Sequence, residues 1–201
     1  MPLKTKTRET QLPSSFQPMY TNDMPASLLA LAGGLIAHCG GIERTMMAAL
    51  AYARDTKQMT MPKLYNSAKE RNSAWLRVVE IIRAGDSRVL AKARQMSKQT
   101  ASLFELRNAL AHSIWRGLDV AGTLWLEQAQ EKKGKYFFKT IPIPQTLLAK
   151  YVINADRLYR DHIQFLIVEI LRLPPENARA ALKKLSWPPH DEVRGERFGL
   201  P

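Results

Sequence analysis

The chain contains a single cysteine, Cys39, among its 201 residues. One thiol excludes an intramolecular disulfide framework and a zinc site built from several cysteines. Such sparing use of cysteine fits a reducing compartment, so the sequence predicts a cytoplasmic protein. The four histidines, at positions 38, 112, 162 and 190, lack the spacing of metal ligands. We therefore predict no metal and no cofactor.

The common catalytic and phosphate-binding motifs are also missing. The chain has no Gly-rich loop ending in Gly-Lys-Ser or Gly-Lys-Thr, no Gly-x-Gly-x-x-Gly, no His-Glu-x-x-His and no Gly-x-Ser-x-Gly. These absences argue against the enzyme classes that use those motifs. If the protein is an enzyme, its chemistry comes from Arg, His and Asn side chains.

Long apolar runs are lacking as well. The run from Ala26 to Ala37 is about a dozen residues, short of the roughly 20 that cross a bilayer. Basic residues precede this run, as in a secretory signal, but the acidic Asp23 lies between them and the run. A cleavage site before Cys39 would also need a small residue at position 38, where this chain has a histidine. We therefore expect a soluble protein without a signal peptide or a membrane partner.

Positive charge is what the sequence has in excess. The formal net charge is +12 and the pI is about 10.0, which favours polyanionic partners, most simply nucleic acid. Nine Lys or Arg and three acids lie between Lys63 and Lys98. This imbalance indicates a phosphate-facing surface, and a solvated helix face is the alternative.

Helical periodicity covers most of the chain. Apolar residues recur at steps of three and four in four stretches: 25 to about 53, 63 to about 83, about 87 to 115, and 145 to about 172. Two short aromatic and β-branched runs that flank a Lys-Lys-Gly turn predict a β-hairpin at about 122–142. We predict a mainly α protein, a helical bundle of four to five helices with an inserted short β-hairpin. Its predicted parts are a flexible N-terminal arm at 1–24, one domain at 25–173 and a C-terminal tail at 174–201.

Two glycine pairs lie inside the first predicted helix, Gly33-Gly34 and Gly40-Gly41. Each interior glycine costs about 1 kcal/mol relative to alanine. Either a neighbouring backbone packs closely against these glycines, within the chain or across a dimer, or the helix breaks there. The sequence leaves both alternatives open.

An arginine interrupts the apolar stripe of the third predicted helix, which consists of Val89, Ala93, Met96, Thr100, Leu103, Arg107, Leu110 and Ile114. Arginine is almost never fully buried unless its charge is paired. Glu43, on a core-side row of the first helix, is the natural partner for a charge-assisted pair with Arg107. The alternative is that Glu43 stands in water at the edge of its stripe.

Two polar side chains lie beside Arg107. Asn108 and His112 are four residues apart and therefore neighbours on the adjoining face, which the long Arg107 side chain can reach. The sequence thus predicts a guanidinium, an amide and an imidazole at one helix end. The alternative is a structural role, in which His112 ends the helix and the helix dipole favours its positive charge.

Other polar residues lie outside this motif. His162 lies on the stripe of the last long helix and is interpreted as a hydrogen-bonded core histidine rather than a ligand. The hairpin lysines surround aromatic residues and could contact RNA by charge and stacking, or the hairpin simply covers core. The candidate RNA contacts are Arg71, Arg88, Lys92, Arg116, Lys133 and Lys135.

The segment Arg107-Asn108-Ala109-Leu110-Ala111-His112 resembles the Arg, polar residue, three residues, His signature of the HEPN superfamily. These all-α domains occur in RNA-cleaving toxins, phage-defence proteins and RNA-guided CRISPR effectors. The order of a long first helix with Glu43, a second helix, a third ending in the motif, an inserted hairpin and a final helix is similar to that family from about residue 25 to 172.

The resemblance implies metal-independent RNA cleavage by a homodimer whose two motifs meet in a composite site. His112 would act on the proton of the ribose 2′-hydroxyl or of the leaving 5′-oxygen, Arg107 would hold the scissile phosphate, and Asn108 would orient one of these groups. An antitoxin or activator protein is a possible further partner.

The sequence departs from one branch of the family. Toxins that pair with a nucleotidyltransferase antitoxin have a modifiable Tyr two places after the His, and this chain has Ile114 there. That mode of regulation is therefore not expected. The alternative function is a catalytically silent module that binds RNA or nucleotides, or assembles with proteins.

Overall fold

The computed structural model describes residues 24–56, 67–132 and 135–185, with side chains described except at 130–137 and 181–185. Almost all of the predicted N-terminal arm and the end of the predicted tail therefore lie outside the described residues. The helices are α1 Ala26–Asp55, α2 Ala68–Ile82, α3 Ser87–His112, α4 Gln145–Phe165, which continues as a π-helical turn Leu166–Ile170, and α5 Pro175–Leu185. The strands are β1 Ile114–Leu118, β2 Thr123–Lys132 and β3 Lys135–Pro144. The predicted mainly α class is confirmed.

The chain divides into two compact units that share its long helices. The first contains the described parts of residues 1–39 and 102–155, and the second those of 40–101 and 156–201. Each unit has its own fully buried side chains. They include Leu28, Leu35, Leu106, Leu126 and Leu148 in the first unit and Ile42, Met46, Val78, Phe165 and Ile167 in the second.

Helix α1 runs without a break through both glycine pairs. The predicted alternative of a broken helix is therefore wrong. Gly34 lies against Val152, and Gly41 lies against the ring of Tyr159, whereas the Cβ positions of Gly33 and Gly40 have no atom within 4 Å. The neighbours at Gly34 and Gly41 are thus side chains of α4 rather than the closely packed backbone of the first alternative, and only at Gly41 is the approach too close for a Cβ.

Gly40 and Gly41 offer a matched pair of substitutions. A Cβ on Gly41 would lie 2.7 Å from Tyr159 Cε2, so we expect Gly41→Ala to destabilise by up to about 2 kcal/mol, since overpacking outweighs the gain in helix propensity. Gly40→Ala meets open space and should stabilise by up to about 1 kcal/mol. Urea unfolding midpoints measure both, and equal midpoints would mean that the ring does not pack against Gly41.

Helix α1 is also long and apolar enough to cross a membrane, although the sequence run alone was judged too short. The apolar segment of α1 is 39% buried within the structure, and the core helix of a soluble protein can have the same length and composition. Leu28, Leu35, Cys39, Ile42 and Met46 form its buried stripe, each 0% exposed. Length and composition of α1 alone are therefore weak support for a membrane span.

Side-chain caps set the ends of α2 and α3. The Ser67 hydroxyl accepts the Glu70 N–H at 3.1 Å while Glu70 accepts the Ser67 N–H, so α2 begins at Ala68. The first residues of the predicted helix, 63–66, lie outside the described residues. After α2, Gly85 adopts a positive φ of 88°, and the Asp86 carboxylate accepts the Val89 N–H at 3.1 Å. In the sequence, Gly85 followed by Asp86 and Ser87 predicts a glycine just past one helix and an Asp or Ser cap at the start of the next, and the structure confirms both, with Asp86 as the cap.

The three strands form an antiparallel sheet in the order β1-β2-β3. The predicted hairpin is confirmed as β2 and β3, but β1 was missed because Ile114 and Trp115 were assigned to the end of α3. Ile114 is a strand residue with 53% exposure, so its placement in the buried helical stripe is wrong. A bulge between Trp115 and Gly117, where Gly117 has φ 144°, distorts β1 and weakens its alternating pattern.

The turn between β1 and β2 depends on Asp119. Its carboxylate accepts the N–H groups of Ala121 and Thr123 at 3.0 and 2.9 Å and the indole N–H of Trp125 at 3.0 Å. These hydrogen bonds hold the pKa of Asp119 below its usual value, the Thr123 backbone N–H contributing most. They orient β1 and β2 directly after the end of α3.

Candidate functional site

The predicted motif occupies the last two turns of α3 in the first unit. Arg107 and Asn108 are half-buried, and His112, the final residue of the helix, is exposed. Five residues span about 7.5 Å along a helix axis and rotate by about 140°, so Arg107 and His112 project from different sides of α3. Asn108 and His112 lie on one row, as predicted, and only a long side chain such as Arg107 can reach around to them.

The end of α3 is closed by local hydrogen bonds. The Ser113 N–H donates to the Ala109 carbonyl at 3.1 Å, and the Trp115 indole N–H donates to the Leu110 carbonyl at 2.9 Å. The indole therefore satisfies one of the carbonyls that a helix C-terminus leaves without a partner. This hydrogen bond holds the residues that follow His112 against the end of α3, and so it restricts the positions that His112 can take.

Phe104 is a neighbour of Arg107 that the sequence argument missed. The guanidinium carbon of Arg107 lies 5.6 Å from the centroid of the Phe104 ring, within the range of a cation–π interaction. Phe104 is 4% exposed, so it gives Arg107 a fixed apolar surface. Spacing of three residues on a helix was the signal that could have identified it.

Glu43, in the second unit, forms an ion pair with Arg71. Arg71 Nη2 lies 3.3 Å from Glu43 Oε1, and the two side chains are 20% and 22% exposed. The alternative of a Glu43 standing in water at the stripe's edge is therefore wrong. The predicted pairing of Glu43 with Arg107 stays a prediction. Arg71, a predicted RNA contact, has an acidic partner that reduces its availability to phosphate.

The other predicted RNA contacts have different surroundings. Arg88 and Lys92 are exposed and lie four residues apart on one row of α3. Arg116 forms an ion pair with Glu127 across β1 and β2. Lys133 lies outside the described residues, and for Lys135 only the backbone, at the start of β3, is described.

His162, in the second unit, is a core histidine as predicted. It is 1% exposed, its Nε2 lies 3.0 Å from the Thr100 hydroxyl, and its ring lies 4.8 Å from the ring of Trp75. Burial lowers its pKa from 6.5 to about 3, because the charged imidazolium loses its hydration. His162 is therefore neutral at physiological pH and contributes to packing.

Among the described residues, no three His, Cys, Asp or Glu side chains are grouped as metal ligands. The motif at the end of α3, in the first unit, thus offers a guanidinium, an amide and an imidazole. Comparison of the chain with protein-family models, curated proteins and solved structures finds no match.

Proposed function

We propose that the protein is a metal-independent endoribonuclease of HEPN type. The observation that carries the proposal is the exposed imidazole of His112 within two helical turns of the half-buried guanidinium of Arg107. An accessible imidazole can transfer protons, and a guanidinium held against Phe104 can bind a phosphate. The resemblance described above connects the same residue types with RNA cleavage.

The proposed reaction is an internal transfer of the phosphate. The imidazole of His112 removes the proton of a ribose 2′-hydroxyl, and the 2′-oxygen attacks the adjacent phosphorus. The bond from phosphorus to the 5′-oxygen breaks, the leaving oxygen takes a proton from water, and His112 later releases its own proton to the solvent. Arg107 stabilises the negative charge that develops on the phosphate oxygens, and Asn108 orients one of the reacting groups. The products carry a 2′,3′-cyclic phosphate and a 5′-hydroxyl.

Charge supports the choice of substrate. The net charge of +12 favours a polyanion, and the second unit exposes the basic side chains of Arg88 and Lys92. We further propose that two copies of the chain form the composite site and that an antitoxin or activator in a toxin or phage-defence setting controls it. Light scattering at several protein concentrations tests the dimer.

Cleavage assays test the reaction directly. Purified protein in EDTA is incubated with end-labelled RNA, with DNA of the same sequence, and with RNA carrying one 2′-deoxynucleotide on the 5′ side of a mapped cut. We expect cleavage of RNA only, cyclic-phosphate ends, and loss of the cut at the deoxy position. Cleavage of DNA, or products with a 3′-hydroxyl, would contradict the mechanism.

A binding module without catalysis is the second candidate. The exposed row of Arg88 and Lys92 favours it, because phosphate contacts need no imidazole. This candidate predicts RNA binding that weakens steeply with salt and is unchanged in His112→Ala. Binding of this kind with no cleavage in the assay above would support it over the nuclease.

A further inference from the structure

Helices α1 and α4 lie side by side in the first unit. The Gln145 side-chain amide donates to the Ser27 hydroxyl at 3.5 Å, and a Cβ on Gly34 would lie 3.5 Å from Val152 Cγ1. From the first contact to the second, both helices advance by seven residues, from 27 to 34 and from 145 to 152. Seven residues are close to two full helical turns. The two helices therefore run parallel here and keep the same sides together.

One side of this helix pair is buried and the other is exposed. The buried side faces the core and includes Leu28, Leu35 and Leu148, each 0% exposed. A helix turns by about 100° per residue, so Gly33 and Ile153, which neighbour the contact residues Gly34 and Val152, lie on the opposite side. We define this outer side as the α1–α4 face, which contains Leu29, Ala30, Gly33, Ile36, Ala37 and Ile153.

The α1–α4 face is apolar but exposed. Leu29, Ile36 and Ile153 are 42%, 40% and 68% exposed. From Met24 to Ala37 the sequence has no charged residue and one polar side chain, that of Ser27. A helix that is apolar on all sides is normally buried on all sides. The exposure of this face therefore indicates a surface that another molecule covers.

The face has two ridges with a hollow between them. Leu29 and Ile36 form a ridge on α1, and Ile153 forms a ridge on α4, whereas the positions between them carry alanine or Gly33. The Cβ position of Gly33 has no atom of the described residues within 4 Å. Glycine weakens a helix interior and is useful where another molecule approaches the backbone closely. The hollow is thus open to a side chain from outside.

We propose that the α1–α4 face is the surface through which two copies of the chain associate. A surface with both a ridge and a hollow is self-complementary, because a two-fold axis places the ridge of each copy in the hollow of the other. Each copy carries a net charge of +12, so repulsion is least where the surfaces in contact are uncharged. The choice of a second copy rests on the homodimer that the proposed function contains.

A lipid surface is the competing occupant, because α1 is long and apolar enough to enter a membrane. A helix that lies on a bilayer typically presents Trp or Phe beside its apolar face and Lys or Arg on its polar face. The segment Met24–Ala37 has none of these residues. Fluid lipid also gains nothing from a hollow at Gly33. The face therefore fits a protein surface better than a bilayer.

Sedimentation equilibrium from about 1 to 200 µM protein tests the association. The face measures about 18 by 20 Å, so two copies bury roughly 700 Å², which predicts a weak, reversible dimer. Ile153→Glu brings a like charge into the contact from each copy, and Gly33→Leu fills the hollow. We expect each change to raise the Kd of the dimer about tenfold or more.

Val120→Glu is the matched control for Ile153→Glu. It makes the same change of net charge at an apolar side chain that is 87% exposed in the β1–β2 turn, and it should leave the Kd unchanged. Gly33→Leu has a check of its own, because leucine forms helix better than glycine and meets open space. The unfolding midpoint of the dilute protein should rise in this variant while its association weakens.

Several results would overturn the proposed interface. They are a monomer over the whole concentration range, unchanged association in Ile153→Glu, and equal weakening by Val120→Glu. Binding of a monomer to phosphatidylcholine vesicles that Ile153→Glu abolishes would assign the face to lipid instead.

Failure of the nuclease gives a different pattern. A wild type that dimerises through the α1–α4 face but cuts no RNA keeps the interface and removes the proposed reaction. RNA cleavage by a protein that stays monomeric removes the interface and keeps the reaction.

Discussion

We expect His112→Ala to lower kcat/KM for RNA cleavage by about 10²- to 10⁴-fold, the usual contribution of a general acid or base. The loss should appear in kcat, because the imidazole moves a proton in the transition state and contributes little to RNA binding. His112 is exposed at the end of α3, so the free energy of unfolding should change by no more than about 0.5 kcal/mol.

Glu105→Ala is the control for His112→Ala. Glu105 is also an exposed side chain near the end of α3, and its removal should leave kcat/KM near that of the wild type. Rates of His112→Ala within about threefold of the wild type, well below the loss expected of a general acid or base, would remove His112 from the mechanism.

Variants of Arg107 distinguish a catalytic role of this residue from a structural one. If Arg107 binds the phosphate, Arg107→Ala lowers kcat/KM strongly, and the double variant with His112→Ala loses much less than the product of the two single effects. Arg107→Lys keeps the charge but not the planar fork and should recover only part of the rate. A large fall in the unfolding midpoint, with a normal rate below that midpoint, would show that Arg107 is a structural residue.

We expect stability to fall as the pH drops below 6.5 because of His162. Its pKa is 6.5 in the unfolded chain and about 3 in the folded protein, so the unfolded state binds the proton first. The free energy of unfolding should then decrease by up to about 1.4 kcal/mol per pH unit between pH 6.5 and pH 3, about 2 kcal/mol by pH 5. Above pH 6.5 both states are neutral at this residue and its contribution does not vary.

His162→Gln tests this assignment. Glutamine does not titrate and can still contact the Thr100 hydroxyl, so the variant should be less stable at pH 8 but lose less stability between pH 6.5 and 5. Gln164→Ala, a change at an exposed side chain of α4 that does not titrate, should keep the wild-type slope. Asp86 and Asp119 also have lowered pKa values, caused first by backbone hydrogen bonds from Val89 and Thr123. Their contribution to the free energy of unfolding is lost only as the pH falls below about 4, so it does not affect the slope between pH 6.5 and 5. An unchanged slope in His162→Gln would rule out His162 as the cause.

Local patterns in the sequence were sufficient to predict the helices. The apolar steps of three and four predicted α1 to within two residues at its end, and the stripe of α3 is buried from Val89 to Leu110 except for the half-buried Arg107. Gly85 and Asp86 marked the boundary of α2 and α3 because turn and cap geometry depend on a few neighbouring residues. The β2–β3 hairpin followed from the same kind of local signal.

Short irregular elements were harder to predict. Ile114 continues the helical spacing of α3, but the chain leaves the helix at His112, where the Trp115 indole bonds to the Leu110 carbonyl and β1 pairs with β2. A five-residue strand with a bulge has too few alternating positions to outweigh a long helical pattern. The competing interactions come from β2, which is distant along the sequence.

By itself the sequence determined the mainly helical class, the helix stripes, the hairpin and the place of Arg107, Asn108 and His112 at one helix end, because each depends on residues a few positions apart. Only the tertiary structure decided that Glu43 pairs with Arg71, that Gly41 and not Gly40 meets Tyr159, and that Phe138 is exposed on the sheet. These contacts depend on which surfaces of distant segments meet, and a periodic pattern specifies the face of an element but not its neighbour.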